Sequence, residues 1–230
     1  CLSPRPPNLA KMLAYALERS GHPRDAIAVL DEATARFGER PDVIFYRDRI
    51  AGGIHEPVAS RLAALEALRA RLPGHDGVLS YLADTYRELG MFDQAERLYQ
   101  EERKVPSLEF DACTGLAELQ AQRGALEASR QAYAGCVELA PDRFTKASVL
   151  DLVAGMYRDA GEFRQALEWH GKAYAEVGGH AGTLEGFGAT YELMGDLENA
   201  KKYYQQQVQI YPQATDGYVN LAMVKLREGD

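Results

Sequence analysis

The sequence predicts an all-α fold, an α-solenoid in which helix–turn–helix units stack in series. Three observations predict it. Glycines recur at nearly constant spacing. They are Gly21, Gly90, Gly124, Gly161, Gly195 and Gly229, with His55 standing where one more is due, and the successive gaps are 34, 35, 34, 37, 34 and 34 residues. Apolar residues on either side of each glycine fall three, four and seven apart, the spacing of one helix face. Two columns of small residues also run through the chain in step with the glycines, and a fixed period of this length is the signature of a repeat architecture.

Each unit follows from local chemistry. In residues 76–109, Leu79, Leu82, Ala83 and Tyr86 fall on one face of a first helix, and Ala95, Leu98 and Tyr99 on one face of a second. Gly90 suits the end of the first helix, where a left-handed backbone costs little without a Cβ. Asp25, Asp93 and Asp196 stand where second helices begin and free N–H groups need an acceptor. Pro23 and Pro57 suit the same starts, and Pro141 and Pro212 end second helices. The small column of the first helices reads Ala14, Asp48, Ala83, Ala117, Ala154, Gly188, Ala222, and that of the second reads Ala26, Ser60, Ala95, Ser129, Ala166, Ala200. Small residues on facing helices let the backbones approach closely. Tyr86, Tyr157 and Tyr191, then Tyr99, Tyr133 and Tyr204, are expected to fill the next layers of core.

A unit of this length, with small residues at these two positions, a glycine at the turn and a proline near its end, resembles the tetratricopeptide repeat (TPR). The resemblance covers nearly the whole chain as a single array of units over residues 7–40, 41–75, 76–109, 110–146, 147–180, 181–214 and a partial one over 215–230. It implies a right-handed superhelix whose first helices line a concave groove, with stability summed over units and their neighbours. The unit 41–75 departs from the pattern, with Asp48 in a small column and "GGIHEP" (52–57) at the turn. That departure predicts looser packing or a kink there, or an Asp48 that binds Arg49 or a ligand.

Composition excludes several function classes. The formal net charge is −8, which argues against a nucleic-acid partner, since that affinity comes from clustered Lys and Arg. No apolar run approaches the roughly 20 residues of a membrane helix. The expectation is a soluble chain, cytoplasmic or periplasmic, of bacterial composition. The leading Cys1 has two readings, a trimmed fragment or the lipid-bearing first residue of a lipoprotein. Phosphate loops, GxSxG, HExxH and EF-hand spacings are absent, so the chain reads as non-catalytic, with no metal site and no cofactor. Cys113 and Cys136 are expected as buried free thiols, and His170 as a satisfied core histidine.

The functional question falls on the groove. Its expected lining is Phe45, Tyr46, Arg49, Tyr81, Asp84 and Arg87, then Glu118, Asp151, Arg158 and Glu185. Exposed aromatics side by side suggest a partner anchor, and the later carboxylates suggest a protein or peptide partner with a basic segment. Arg87 is expected to point away from the core and into the groove. The Lys and Asn pattern by which some TPR proteins hold a chaperone carboxylate is not matched, Lys11 being followed by Tyr15 and Phe45. Two functions follow: an interaction scaffold, or the TPR arm of a larger machine with more repeats or another domain after residue 230. Arms of the second kind occur in bacterial exopolysaccharide-export proteins and ahead of glycosyltransferase domains.

Overall fold

The computed structural model describes residues 7–38, 40–55 and 58–228. Among them every regular element is helical. In order they are α1 (Pro7–Arg19), α2 (Pro23–Phe37), α3 (Pro41–His55), α4 (Val58–Arg71), α5 (Asp76–Glu88), α6 (Phe92–Glu102), α7 (Glu109–Gln122), α8 (Leu126–Cys136), α9 (Arg143–Asp159), α10 (Phe163–Glu176), α11 (Ala181–Leu193), α12 (Leu197–Ile210) and α13 (Thr215–Glu228), with a 3-10 turn at Val137–Leu139 after α8. The chain divides into two compact units, Cys1–Gly115 and Leu116–Asp230. In the first, each helix from α1 to α6 packs on the next. In the second, α8 to α13 do the same, and α9 also meets α11.

The turn chemistry explains why the helices break where they do. Gly90 has φ +71°, and Gly21, Gly124, Gly161 and Gly195 lie in the same left-handed region, which a side chain would strain. Asp196 caps α12, its side chain accepting from Asn199 N at 3.1 Å. Asp25 and Asp93 do not occupy the cap. They lie inside the first turns of α2 and α6, behind His22 and Met91, where a carboxylate still faces the positive end of the helix.

The core is a ladder of three positions on the second helices α2, α6, α8, α10 and α12. Ala26, Ala95, Ser129, Ala166 and Ala200 are fully buried. Four residues on come Leu30, Tyr99, Tyr133, His170 and Tyr204, and three further Ala33, Glu102, Cys136, Ala173 and Gln207, all of them buried. This spacing is one stripe of a helix, and burying a Leu or Tyr there is worth roughly 2 kcal/mol. Tyr204 packs with Ala200 and Val224 of α13, joined by Tyr191, Leu197 and Leu221. Leu30 packs with Ala14, Ala26, Val43 and Ile50, joined by Leu17, Ile27 and Tyr46.

The turn expected at residues 52–57 is helical along its described part, residues 52–55. The helix α3 runs through Gly52 and Gly53 to His55, so these glycines form no turn. Residues 56–57 of the expected turn, Ser60 of the small column and Gly229 lie outside the described backbone or side chains. Asp48 does not bind Arg49. Its carboxylate takes Arg47 at 2.9 Å and Arg71 at 3.9 Å, so it lies half-buried between two cations.

Candidate functional site

The middle rung of the ladder reaches from the core to the carboxylates on the first helices. Tyr99 donates its hydroxyl to Asp84 Oδ1 at 2.7 Å. Tyr204 donates to Glu192 Oε2 at 3.1 Å. In the same register, His170 Nδ1 lies 2.8 Å from Asp151 Oδ1. Burial, then the neighbouring carboxylate, pushes the Tyr99 and Tyr204 hydroxyls above the usual phenol range, so both stay protonated as donors. Carboxylates expected to await a partner are thus held from behind by the core.

The six expected residues of the first unit divide into separate contacts. Phe45 meets Tyr81 edge-on at 6.4 Å and His75 at 5.0 Å, and it covers Gly77, where a Cβ would fall 2.7 Å from the ring. Tyr46 turns the other way. It donates to Glu18 at 3.2 Å and lies under the Arg49 guanidinium, 4.7 Å from ring centroid to Cζ, while Arg49 binds the same Glu18 at 2.6 Å. All three aromatics are half-buried, so they are not the exposed cluster the sequence suggested. Arg87 corrects another expectation. Its Nε donates to Tyr99 Oη at 3.1 Å and its Nη2 lies 3.5 Å from Asp84. It serves the core ladder rather than pointing away from it. Lys11 is likewise engaged, with Asp42 at 2.6 Å.

Three of the four expected residues in the second unit meet at one open pocket of about 280 Å³. Asp151, Leu152, Gly155, Met156, Arg158 and Asp159 of α9 form one wall, Gly182, Glu185 and Gly186 of α11 the other, and His170 of α10 contributes from behind. Glu118 is half-buried on α7 and does not line this pocket. Asp151 is a hub. Its Oδ2 accepts from Thr183 Oγ1 at 2.6 Å and lies 3.3 Å from His180 Nδ1. Arg158 is turned onto Asp159, at 3.0 and 3.1 Å. Glu185 is exposed. His170 is 2% exposed, and its Nε2 has no hydrogen-bond partner among the described residues. The expectation of a satisfied core histidine therefore holds for one ring nitrogen and not for the other. Sequence reading missed His180 and Thr183, which sit one turn apart at the start of α11 and carry no signal beyond their proximity to a helix start.

The other missed residue is Glu102, on the last rung of the ladder. It is 1% exposed, and neither carboxylate oxygen has a hydrogen-bond partner among the described residues. Burial pushes its carboxyl up to about 7; the Ser80 hydroxyl beside it lowers it, while Asp84, Asp111 and Asp76 raise it further. Part of the signal was available: Ala33, Cys136 and Ala173 hold this rung in three other units, and the uncharged Gln207 in a fourth.

Cys113 and Cys136 are disulfide-bonded and not the free thiols expected. Sequence spacing does not report distance in the fold, and burial alone favours either state. Among the described residues no group of three or more His, Cys, Asp or Glu is arranged to hold a metal ion, and no helix is long and apolar enough to cross a membrane.

Comparison with known proteins bears on the fold. Tetratricopeptide-repeat profiles match residues 7–47, 78–104 and 183–213. Comparison with curated proteins finds no match. Among solved structures, a tetratricopeptide repeat protein from Parabacteroides merdae is similar at 17% identity over 95% of this chain and 84% of its own, with a TM-score of 0.63. The pilF protein of Pseudomonas aeruginosa is similar at 14% identity over 96% of both chains, with a TM-score of 0.64. A chain of the APC/C hetero-tetramer Cut9–Hcn1 is similar at 10% identity over 97% of this chain and 44% of its own, with a TM-score of 0.65. Helix pairs broken at left-handed glycines, small residues at the crossings and these three matches agree: residues 7–47, 78–104 and 183–213 match the tetratricopeptide repeat, in a chain whose fold resembles that of tetratricopeptide-repeat proteins.

Proposed function

We propose that the chain is a non-catalytic scaffold that takes a protein or peptide partner, and that in the second unit the partner sits in the pocket between α9 and α11. The observation that carries this is the convergence of Asp151, Arg158 and Glu185 on one open pocket flanked by the exposed Leu152. Apolar surface beside convergent polar groups is the usual make-up of a binding site. The acidic balance of the chain supports a partner with a basic segment, whose association slows as salt rises. The remaining expected residues, Phe45, Tyr46, Arg49, Tyr81, Asp84, Arg87 and Glu118, extend the proposal along one array, unit by unit. Asp84 and Arg87 act there through the faces they leave beside Tyr99.

Placing a photo-reactive residue at Leu152 tests the pocket. Irradiation in cells should yield a protein adduct at position 152 and none at Glu168, which is exposed on α10 and does not line the pocket. Equal adducts at both positions, or none at 152, would overturn the assignment. A second reading, the arm of a larger machine, is favoured by α13. Tyr218, Val219, Met223 and Leu226 are 45–68% exposed on it, while Val224 is buried against α12.

A further inference from the structure

The last helix breaks a rule that the two first helices before it keep. Asp151 on α9 and Glu185 on α11 hold one position of the repeat, and Arg158 and Glu192 hold another seven residues on. Asp151, Arg158 and Glu185 line the pocket already described. Carried 34 residues further, the same two positions on α13 are Val219 and Leu226, with Met223 between them. All three are 47–68% exposed. Resting on the partner-binding reading, we propose that the partner segment is an amphipathic helix, its apolar face lying along Val219, Met223 and Leu226 and its basic end meeting Glu185 and Asp216.

A second helix placed after α13 in the manner of the others would leave this stripe open. In complete pairs the second helix packs on the small column, where Ala154 is buried and Gly188 lies under the Tyr204 ring. The matching residue of α13 is Ala222. Glu185, in the column of Val219, stays exposed although α12 is packed on α11. The stripe therefore belongs to the pocket-lining face, and its apolar character is particular to α13.

The surroundings select the occupant. Asp216 stands one turn before Val219 on the same face of α13. Glu185 lies on α11, which is tied to α13 by Arg227 and Glu192 at 2.9 Å. Glu192 is committed, to Arg227 and to the Tyr204 hydroxyl. Glu185 and Asp216 are exposed, and neither has a hydrogen bond or ion pair among the described residues. Two uncommitted carboxylates toward one end of an apolar stripe call for a cation at one end of an apolar segment, which also suits a chain of formal charge −8. Conformation follows from the backbone. Apolar side chains offer an extended peptide nothing for its N–H and C=O groups, whereas a helix pairs its own. The occupant thus lays apolar residues three and four apart against the stripe, as helices do in apolar grooves.

An end-blocked, alanine-based peptide of about 15 residues, long enough to populate a helix, tests this. It carries leucines three and four apart on one face and two lysines in its last turn. Its controls are a version with glutamates for the lysines, a scramble that scatters the leucines, and a version with a central proline. Each is titrated into the full 230-residue chain while the amide resonances of α11 and α13 are followed by NMR. The leucine–lysine peptide should give saturable shifts on both helices. Glutamates in place of its lysines should weaken binding at least about tenfold, or ~1.4 kcal/mol, and Glu185→Gln should shrink that difference. Met223→Gln and Leu226→Gln alter exposed side chains, so the denaturation midpoint should hold while binding weakens by a similar factor. No saturable shift, equal binding of the scramble, or undiminished binding to both glutamine variants overturns the proposal. Equal binding of the proline peptide overturns the helix. A concentration-dependent dimer in sedimentation, lost in Leu226→Gln, gives the stripe to a second copy of the chain and overturns the partner helix. If every peptide fails while the Leu152 adduct still forms, the scaffold reading stands and the helix assignment alone is lost.

Discussion

Glu102 shows how much a single side chain can impose on this fold. A carboxyl raised to about 7 in the folded state, against an ordinary value near 4.5 when unfolded, keeps its proton in the fold over the intervening range. The unfolded chain binds fewer protons there, so stability falls as pH rises from about 4.5 to 7 and stays low above it, by roughly 3 kcal/mol in all. Glu102→Gln keeps the shape and removes the charge. Urea unfolding between pH 5 and 8 should therefore show a slope in the wild type that this variant flattens, with the variant the more stable at pH 8. Sequence reading could have flagged Glu102 by its rung, where other units hold the uncharged Ala, Cys or Gln. It could not have shown that the Asp84 and Asp151 carboxylates are already taken by Tyr99 and His170. Which partner a carboxylate finds depends on the distance between helices, and periodicity gives only the face. The orientation of Arg87 was hidden for the same reason.

The helices were far more legible than the site. Their turns follow from glycines at fixed spacing and their faces from apolar residues at three and four, both local properties. The exception is α3, where Gly52 and Gly53 read as a turn and are helical; packing of the helix outweighs a propensity penalty of about 1 kcal/mol per glycine. Glycines inside helices divide into two kinds that predict opposite results. Gly135 in α8 and Gly171 in α10 have open space where a Cβ would stand. Replacing either by Ala should stabilise the protein by up to about 1 kcal/mol. Gly115 in α7 and Gly188 in α11 lie under Tyr99 and Tyr204, and a Cβ there would fall 2.4 Å from the ring in each case. Gly115→Ala or Gly188→Ala should cost about 1–3 kcal/mol through overpacking, despite the better helix former. Midpoints of chemical denaturation for the four variants check both signs.

At the scale of the whole molecule, three cysteines did not read as a disulfide framework, yet Cys113 and Cys136 are each disulfide-bonded. Alkylation followed by mass spectrometry should label these two positions only after a reductant is added. Labelling without reductant would refute the bond. The rings seated over glycines have a further consequence for the chain as a whole. Phe45 of α3 closes over Gly77 of α5, Tyr99 of α6 over Gly115 of α7, and His170 of α10 over Gly186 of α11. Each ring is shaped to one successor, and a Cβ at the receiving position would collide with it. The repeats are therefore keyed connectors rather than interchangeable bricks. Placing a unit with a larger residue at the receiving position behind one of these rings would bring the ring against a position with no notch for it. A chain of this kind can lengthen or rearrange only by changing plug and socket together, which ties the order of its repeats to its history.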